Sequence, residues 1–481
     1  MRTRLTSLGV VLIAAILATG GMAFAQAPDR SKPPVPGPPP TLKIPAIERR
    51  TLTNGLRVWL VQMHEVPVVD VSVVVRSGAA ADPVGKFGLA QFTAAMLDEG
   101  AGTRGALELA DAIDFLGASI NTGSSFDAST IHLHTLTTKF AQALPLLADV
   151  VLRPAFASSD LERLRQERLT TLLQARDNAS SLASTAFARL LFGEGHRYGT
   201  AMMGTEATNR AMSAADLRAF YTANYQPQNT VLIVVGDITS AAVLPQLEKA
   251  FGGWKNTGPI ARPVVAAATS PSARQIYLVD KPGAPQSEIR IGGVGVNRTT
   301  PDFHIITVMN TILGGSFAAR LNQNLREEHG YSYGAFSSFD MRAMPGPFTA
   351  RAGVQTDKTV ESLQEFFNEL NGMSAPMPAP ELTRAKNLEA LSFPGDFETT
   401  SDMAARLAAL AVYGLPDTFF TTYVPKIEAV TAAQVGGAVE KYLQTTRFAV
   451  VVVGDLSKIE APIRAANLGP VRVVSADDIL K

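Results

Sequence analysis

An internal duplication constrains the fold of this chain more than any other feature. The segment VVGDI at 234–238 returns as VVGDL at 452–456. The same separation of 218 residues joins two further pairs of similar segments, 58–61 with 276–279 and 213–217 with 431–435. Three matches in one order and at one separation predict two tandem copies of one fold.

The copies define the predicted domains. We place the first domain at 47–258 and the second at 273–481, joined by a linker at 259–272 that is rich in Pro, Ala and Ser. Runs of β-branched residues predict strands, and apolar periodicity predicts helices. In the first copy the strands are Leu56–Val61, Val69–Val75 and Thr230–Val235, and the helices are Phe87–Leu97, Thr138–Val151, Ser159–Arg176 and one from an N-cap at Ser213 to about Tyr221.

The order of these elements, with few strict strand–helix–strand units, predicts the α+β class. We expect helices on one face of a largely antiparallel sheet in each domain.

The composition excludes several classes of function. The chain has 481 residues, with Lys+Arg 43 and Asp+Glu 43, so it lacks the positive excess that nucleic-acid binding requires. It contains no cysteine, which excludes a thiolate zinc site and a cysteine nucleophile.

The amino terminus predicts export. Arg2 and Arg4 precede an apolar run at 8–18, and Ala23-Phe24-Ala25 forms a small-x-small cleavage site. We interpret residues 1–25 as a cleaved bacterial signal peptide and expect a periplasmic protein, with an uncleaved anchor as the alternative. The proline-rich stretch at 26–46 is interpreted as a spacer, or else as an arm that packs on a partner. No later segment predicts a membrane span.

Several motifs carry a family resemblance. In the first copy they are the stretches 88–92, 196–199, 204–206 and 224–237, and in the second they are 314–316, 320–322, 325–327 and 330–334. In this order they resemble the pitrilysin/insulinase family of zinc peptidases, in its short two-domain bacterial type. The resemblance implies that the two domains form half of a clamshell around a chamber for peptides.

The zinc site of that family is missing here. Members hold zinc with an H-x-x-E-H helix and a later glutamate. By the resemblance, the two histidines and the general base fall on Gln91, Ala95 and Ala94, and the later glutamate falls on Gln174. Alanine has no lone pair for a metal and cannot take a proton. We therefore expect no metal on this chain and zinc on a partner subunit.

Other potential ligands favour ordinary structural roles. His132 and His134 alternate on a predicted strand and could chelate a metal, but such pairs more often lie on a sheet face. Asp98 and Glu99 are interpreted as a solvated pair near a helix end. His196 matches a structural position of the family, and His329 stands at a probable helix end before Gly330.

The second copy keeps two residues that the family uses in catalysis. The resemblance places an arginine and a tyrosine that hold the substrate and stabilise the oxyanion at Arg326 and Tyr333. Gly330 can end a helix in a left-handed turn, which would project Arg326 from the helix end and Tyr333 from the next strand. The alternative is an ordinary surface ion pair and an interfacial tyrosine.

These features predict the zinc-less subunit of a heterodimeric periplasmic zinc metallopeptidase. Its partner would be a chain of similar length that carries H-x-x-E-H, and its substrates would be peptides. Two alternatives remain open: a non-catalytic peptide-binding scaffold of the same fold, and a self-sufficient peptidase with an unrecognised site.

Overall fold

In a computed structural model of the chain, residue 37 and residues 43–260 and 265–480 are described. The predicted signal peptide lies outside these residues, as do most of the spacer and part of the linker. Within the described ranges, no helix is both long enough and apolar enough to cross a membrane.

The first half contains a six-stranded sheet in the order β1-β2-β6-β3-β5-β4. Neighbouring strands are antiparallel except for β2 and β6. The strands are β1 (Glu48–Thr51), β2 (Arg57–Gln62), β3 (Val68–Val75), β4 (Ser119–Ser124), β5 (Ser129–Leu136) and β6 (Thr230–Gly236).

The second half contains a matching sheet in the order β12-β7-β11-β8-β10-β9. Here β7 lies parallel to both β11 and β12, and the remaining pairs are antiparallel. The strands are β7 (Gln275–Asp280), β8 (Gln286–Val294), β9 (Ser332–Phe339), β10 (Pro347–Gln355), β11 (Ala449–Gly454) and β12 (Val471–Val474).

Helices surround both sheets. In the first half they are α1 (Leu89–Ala95), α2 (Ala106–Asp114), α3 (Phe140–Leu152), α4 (Ser158–Asp177), α5 (Ala179–Phe192), α6 (Glu206–Ala211), α7 (Ala214–Asn224) and α8 (Ser240–Phe251). In the second half they are α9 (Phe303–Leu313), α10 (Arg320–Asn322), which continues into a π-helical turn (Gln323–Glu328), α11 (Thr359–Gly372), α12 (Ala379–Ser392), α13 (Thr400–Tyr413), α14 (Phe419–Glu428), α15 (Ala432–Tyr442), α16 (Leu456–Ala465) and α17 (Ala476–Leu480). Short 3₁₀ turns lie at Ala79–Ala81, Thr137–Lys139, Arg197–Gly199, Pro227–Asn229, Thr356–Lys358, Phe393–Phe397 and Thr445–Arg447.

The duplication extends to the register of the strands. In the first sheet Val58 of β2 pairs with Leu232 of β6, and in the second sheet Ile276 of β7 pairs with Val450 of β11. Both residues of the pair are therefore displaced by the same 218 positions. Because the register is preserved, equivalent positions of the two copies place their side chains on the same face of the sheet.

The two halves exchange a helix, which corrects the expected arrangement of helices on one sheet face. Each sheet packs its other face against a helix of the other half: α13 lies on β3 and β6 of the first sheet, and α5 lies on β8 and β11 of the second. Apolar side chains of α13 such as Met403 and Leu407 join one core cluster with Val61 and Ile233 of the first sheet. The exchanged helices cover the second face of the central strands, and β6 and β11 are fully buried and apolar from Val231 to Val235 and from Ala449 to Val453.

The predicted elements of the first copy lie close to the observed ones. Ser213 is the N-cap of α7, since its hydroxyl accepts the Asp216 amide N–H. The helix runs three residues beyond the predicted end at Tyr221. The helix predicted at Phe87–Leu97 is shorter, because Gly88 at its N-cap has a φ of +105°.

Candidate functional site

A buried carboxylate holds the start of helix α1. Asp82 accepts the backbone N–H groups of Gly88 (2.8 Å) and Ala90 (2.7 Å), which satisfies donors at the start of the helix. The guanidinium of Arg197 lies 2.9 Å from the same carboxylate, and both side chains are buried. Burial raises the pKa of Asp82, although the charge of Arg197 and the two amides oppose that shift.

The expected zinc positions carry no set of metal ligands. Ala94 is buried in α1, and Ala95 follows it. The Oε1 atom of Gln91 is buried without a hydrogen-bond partner among the described residues. Gln174 is exposed on α4. In the described part of the chain, no group of three or more His, Cys, Asp or Glu residues could hold a metal ion. The residues present do not fit zinc.

Arginine contacts connect α4 to the start of α1. The Arg168 guanidinium donates to Asn209 Oδ1 (2.7 Å), to Met203 O (2.9 Å) and, less closely, to Gly88 O (3.3 Å). It also lies 4.6 Å from the centre of the Phe92 ring. Burial lowers the pKa of Arg168 to about 10. The helix that would carry the third ligand is therefore held by hydrogen bonds.

The acidic pair that follows α1 differs from the expectation of a solvated pair. Asp98 is half-buried, and burial raises its pKa to about 6. The hydroxyl of Thr122 on the edge strand β4 lies 3.4 Å from its carboxylate. Glu99 forms an ion pair with Arg163 of α4. The apolar packing of α1 draws Asp98 inward, so its side chain is not freely solvated.

His132 and His134 serve a carboxylate between the two halves. His132 Nε2 lies 2.8 Å and His134 Nδ1 3.1 Å from Oδ1 of Asp70, which is fully buried on β3. The hydroxyls of Thr400 and Ser401, in the first turn of α13, also donate to Asp70. The two histidines therefore take part in fixing the exchanged helix to the first sheet.

The other two histidines singled out in the sequence lie in local structure. His196 Nδ1 accepts the Tyr198 amide N–H (3.0 Å), and its Nε2 lies 2.9 Å from Ala266 O. His329 ends the π-helical turn, and its ring stacks on Tyr331 with ring centres 4.9 Å apart.

Arg326 and Tyr333 lie on either side of a tight reversal in the second half. Arg326 belongs to the π-helical turn, and Tyr333 is the second residue of the edge strand β9. Gly330 between them has a φ of +66°, as predicted for a left-handed helix end. π-Helical turns are rare in proteins, and those that occur often lie at functional sites.

Neither Arg326 nor Tyr333 has an evident structural role. Tyr333 is 91% exposed, and its hydroxyl makes no hydrogen bond with any described residue. Arg326 is half-exposed, lies 4.5 Å from the centre of the Phe317 ring, and has one weak ion pair with Glu327 at 3.3 Å. Exposed pairs of this kind contribute little to stability. Both residues present donors to an open surface.

Hydrogen bonds hold the backbone around Arg326 and Tyr333 in place. The Asn324 amide donates to Glu365 and Glu369 of α11, at 2.9 Å each. The Tyr331 N–H donates to Leu325 O (2.8 Å), and the Gln355 amide donates to Gly330 O (2.9 Å). The donors of Arg326 and Tyr333 therefore project from a fixed reversal.

Sequence reasoning found the glycine turn and both exposed donors. It missed the Asp70 cluster, although a lone acid inside the apolar run of β3 was a usable signal. It also missed the π-helical turn, which depends on an extra residue within a helix and has no short sequence signature.

Two regions of the chain match sequence models of one protein family. Residues 57–198 match Insulinase (Peptidase family M16), and residues 211–389 match the Peptidase M16 inactive domain. An uncharacterized zinc protease of Mycobacterium bovis is 26% identical over 413 residues, which cover 85% of this chain and 93% of that protein.

Solved structures agree with these matches. A peptidase M16 inactive domain from Pseudomonas fluorescens superposes with a TM-score of 0.78 and 26% identity, covering 85% of this chain and 98% of that one. The periplasmic protease PqqL from Escherichia coli superposes with a TM-score of 0.71 at 16% identity, over 89% of this chain and 51% of that one, which shows a shared fold alone.

Proposed function

Because this chain belongs to the insulinase family, peptidase family M16, we propose that it is the zinc-free subunit of a two-chain peptidase. One observation carries the proposal. The four zinc-site positions hold Gln91, Ala94, Ala95 and the exposed Gln174, while Arg326 and Tyr333 stand free on a tethered turn. On this proposal the chain has lost the zinc ligands and has kept the residues that contact the substrate.

The chemistry of the two retained residues suits this role. A guanidinium offers several N–H donors in a fixed fork, and a phenol offers one O–H donor. Arg326 and Tyr333 would donate to the substrate backbone and to the carbonyl oxygen as negative charge develops on it. The partner chain would supply zinc, the general base and the attacking water.

We further propose that the pair works in the periplasm on peptides. The amino-terminal sequence supports export, and a protein of the same fold is a periplasmic protease. The partner would be a chain of similar length with H-x-x-E-H, because the clamshell needs a second half that carries the missing ligands.

A second function is favoured by the sheet edges. β4 and β9 each end a sheet, so each has one side without a neighbouring strand in its sheet. An extended peptide could add to such an edge without being cleaved. On this alternative the chain is a peptide-binding scaffold, and Arg326 and Tyr333 have no catalytic part.

Affinity purification of the tagged chain from its native host separates the two functions. We expect a stoichiometric companion carrying H-x-x-E-H, and a peptidase activity that appears only when both chains are present. Chelation should abolish that activity, and zinc should be found on the companion alone. A chain that recovers no such companion and binds peptides without cleaving them would favour the scaffold.

A further inference from the structure

Helix α2 has apolar residues on two opposite faces. Leu109 and Ile113 point into the first core and are buried. Leu107 and Phe115, the C-cap residue, are 81% and 86% exposed. A surface helix needs only one apolar stripe to join its domain. The second stripe is therefore not required by the fold of the first half.

The exposed residues form one continuous face. Leu107, Asp111 and Phe115 are spaced by four, which places them on one line along the helix, and Ala110 and Asp114 lie beside that line. All five residues are exposed. We call them the α2 face.

The charge of the α2 face is negative and unbalanced. Asp111 and Asp114 form no ion pair with any described residue. Glu108, next to the face, accepts the Gly105 N–H of its own helix start at 3.1 Å. Two large apolar side chains thus stand beside two carboxylates that form no ion pair within the described part of the chain. A surface of this kind fits a partner with an apolar centre and a basic rim.

We propose that the α2 face docks the partner subunit of the proposed peptidase, through a surface of that partner that is apolar and basic. This inference rests on the proposed function and names the contact that assembles it. A second copy of this chain is a poorer occupant, because a two-fold interface would set Asp111 and Asp114 against the same acids.

The position of the face suits this role. Helix α2 leads through Gly117, with a φ of +61°, into the edge strand β4. In the second half, the π-helical turn leads through Gly330 into the edge strand β9 in the same way. Docking on α2 occupies the first edge region and leaves the second, with Arg326 and Tyr333, to the substrate.

The test compares two variants of the full chain for binding to the co-purified H-x-x-E-H subunit. One is the double variant Leu107→Ser/Phe115→Ser. The control is Val84→Ser, which removes a valine that is 82% exposed in a loop. We expect the dissociation constant to rise at least about 10-fold for the double variant and to stay unchanged for the control. Circular dichroism should be the same for both, because the buried face is untouched.

Charge reversal adds an independent readout. Asp111→Lys/Asp114→Lys should slow association, and the difference from the wild-type rate should shrink as salt is added. Arg351→Ala, at an exposed arginine on β10 of the second half, should leave binding unchanged, because that residue lies outside the α2 face and outside the proposed site.

The outcomes separate the two proposals. Equal binding of the subunit by the double variant and the control would overturn the docking surface and leave the proposed function standing. A homodimer that the double variant disrupts would overturn the choice of occupant. A chain that stays monomeric and recovers no H-x-x-E-H companion would overturn both proposals.

Discussion

In the first half, the positions where the family resemblance places the zinc ligands and the general base hold Gln91, Ala94, Ala95 and Gln174. In the second half, the region that corresponds to α2 and β4 is a π-helical turn and the edge strand β9, which carry the exposed side chains Arg326 and Tyr333. The Asp82 and Arg168 contacts show that the first half keeps its framework through hydrogen bonds. One duplicated scaffold can therefore change the side chains expected to react without losing its framework, because the two sets are separate residues.

The exchanged helices show a second contrast. Asp70, on the first sheet, accepts the hydroxyls at the start of α13. On the second sheet the cation Arg290 donates to Ser180 Oγ (2.7 Å) and Ser184 Oγ (3.3 Å) of α5, with Glu288 2.9 Å away. The buried side chains that contact the hydroxyls of the exchanged helices therefore differ in charge, an acid on the first sheet and an arginine on the second. Each exchanged helix thus contacts a buried polar side chain on the sheet of the other half.

Replacing the free donors should have the largest effect. We expect Arg326→Ala or Tyr333→Phe to lower turnover by the reconstituted pair about 10- to 1000-fold, as loss of one oxyanion donor does. The drop should appear mainly in kcat. Arg351→Ala, an exposed arginine on β10, is the matched control. Unchanged turnover in both donor variants would reduce the second half to a scaffold.

Removing the carboxylate of the first interface should cost stability. Asp70→Ala leaves two histidines and two hydroxyls without their acceptor, and we expect a loss of about 2–4 kcal/mol in the free energy of unfolding. Ser180→Ala at the second interface should cost only about 1 kcal/mol, because Arg290 keeps Glu288. Urea denaturation measures both. Equal losses would mean that the two interfaces do not differ in this way.

The same carboxylate predicts a dependence on pH. Burial would raise the pKa of Asp70, but hydrogen bonds from His132, Thr400 and Ser401 outweigh burial and lower the pKa from 3.8 to about 2. A lowered folded pKa stabilises the protein above the unfolded pKa, and that stabilisation is lost as pH falls through the folded pKa. The shift corresponds to about 2 kcal/mol.

The comparison with Asp70→Asn isolates this effect from other acids. The difference in unfolding free energy between wild type and variant should shrink by about 2 kcal/mol between pH 5 and pH 2. A constant difference over that range would rule out the lowered pKa.

The smallest expected effect compares the two glycine turns. Gly117 and Gly330 both have positive φ, and a Cβ at either position would meet no neighbour within 4 Å. Alanine should therefore cost about 1 kcal/mol at each, from backbone strain alone. Thermal unfolding measures that cost. Only Gly330→Ala should also lower turnover. Equal turnover in the two variants would mean that the turn at Gly330 has no part in catalysis.

Much of the site followed from local sequence. The separation of 218 residues predicted two copies of one fold, whose strands have matching registers in the structure, and Gly330 predicted the turn that separates Arg326 from Tyr333. The loss of the zinc ligands was visible because alanine has no donor atom in any fold. The prediction that Asp98 is solvated was wrong. Its burial depends on how α1 packs against the first core, which its neighbours in sequence do not specify.

The sequence by itself determined that two copies of one fold are present, and the resemblance placed Gln91, Ala94 and Ala95 at expected zinc-site positions and Arg326 and Tyr333 at expected substrate-binding positions. These are properties of residue type and spacing. Only the tertiary structure decided that α5 and α13 are exchanged between the sheets, that Asp70 gathers four donors and that Leu107 and Phe115 remain exposed. Each of these depends on contacts between residues far apart in the chain, and side-chain periodicity specifies which face is apolar but not what covers it.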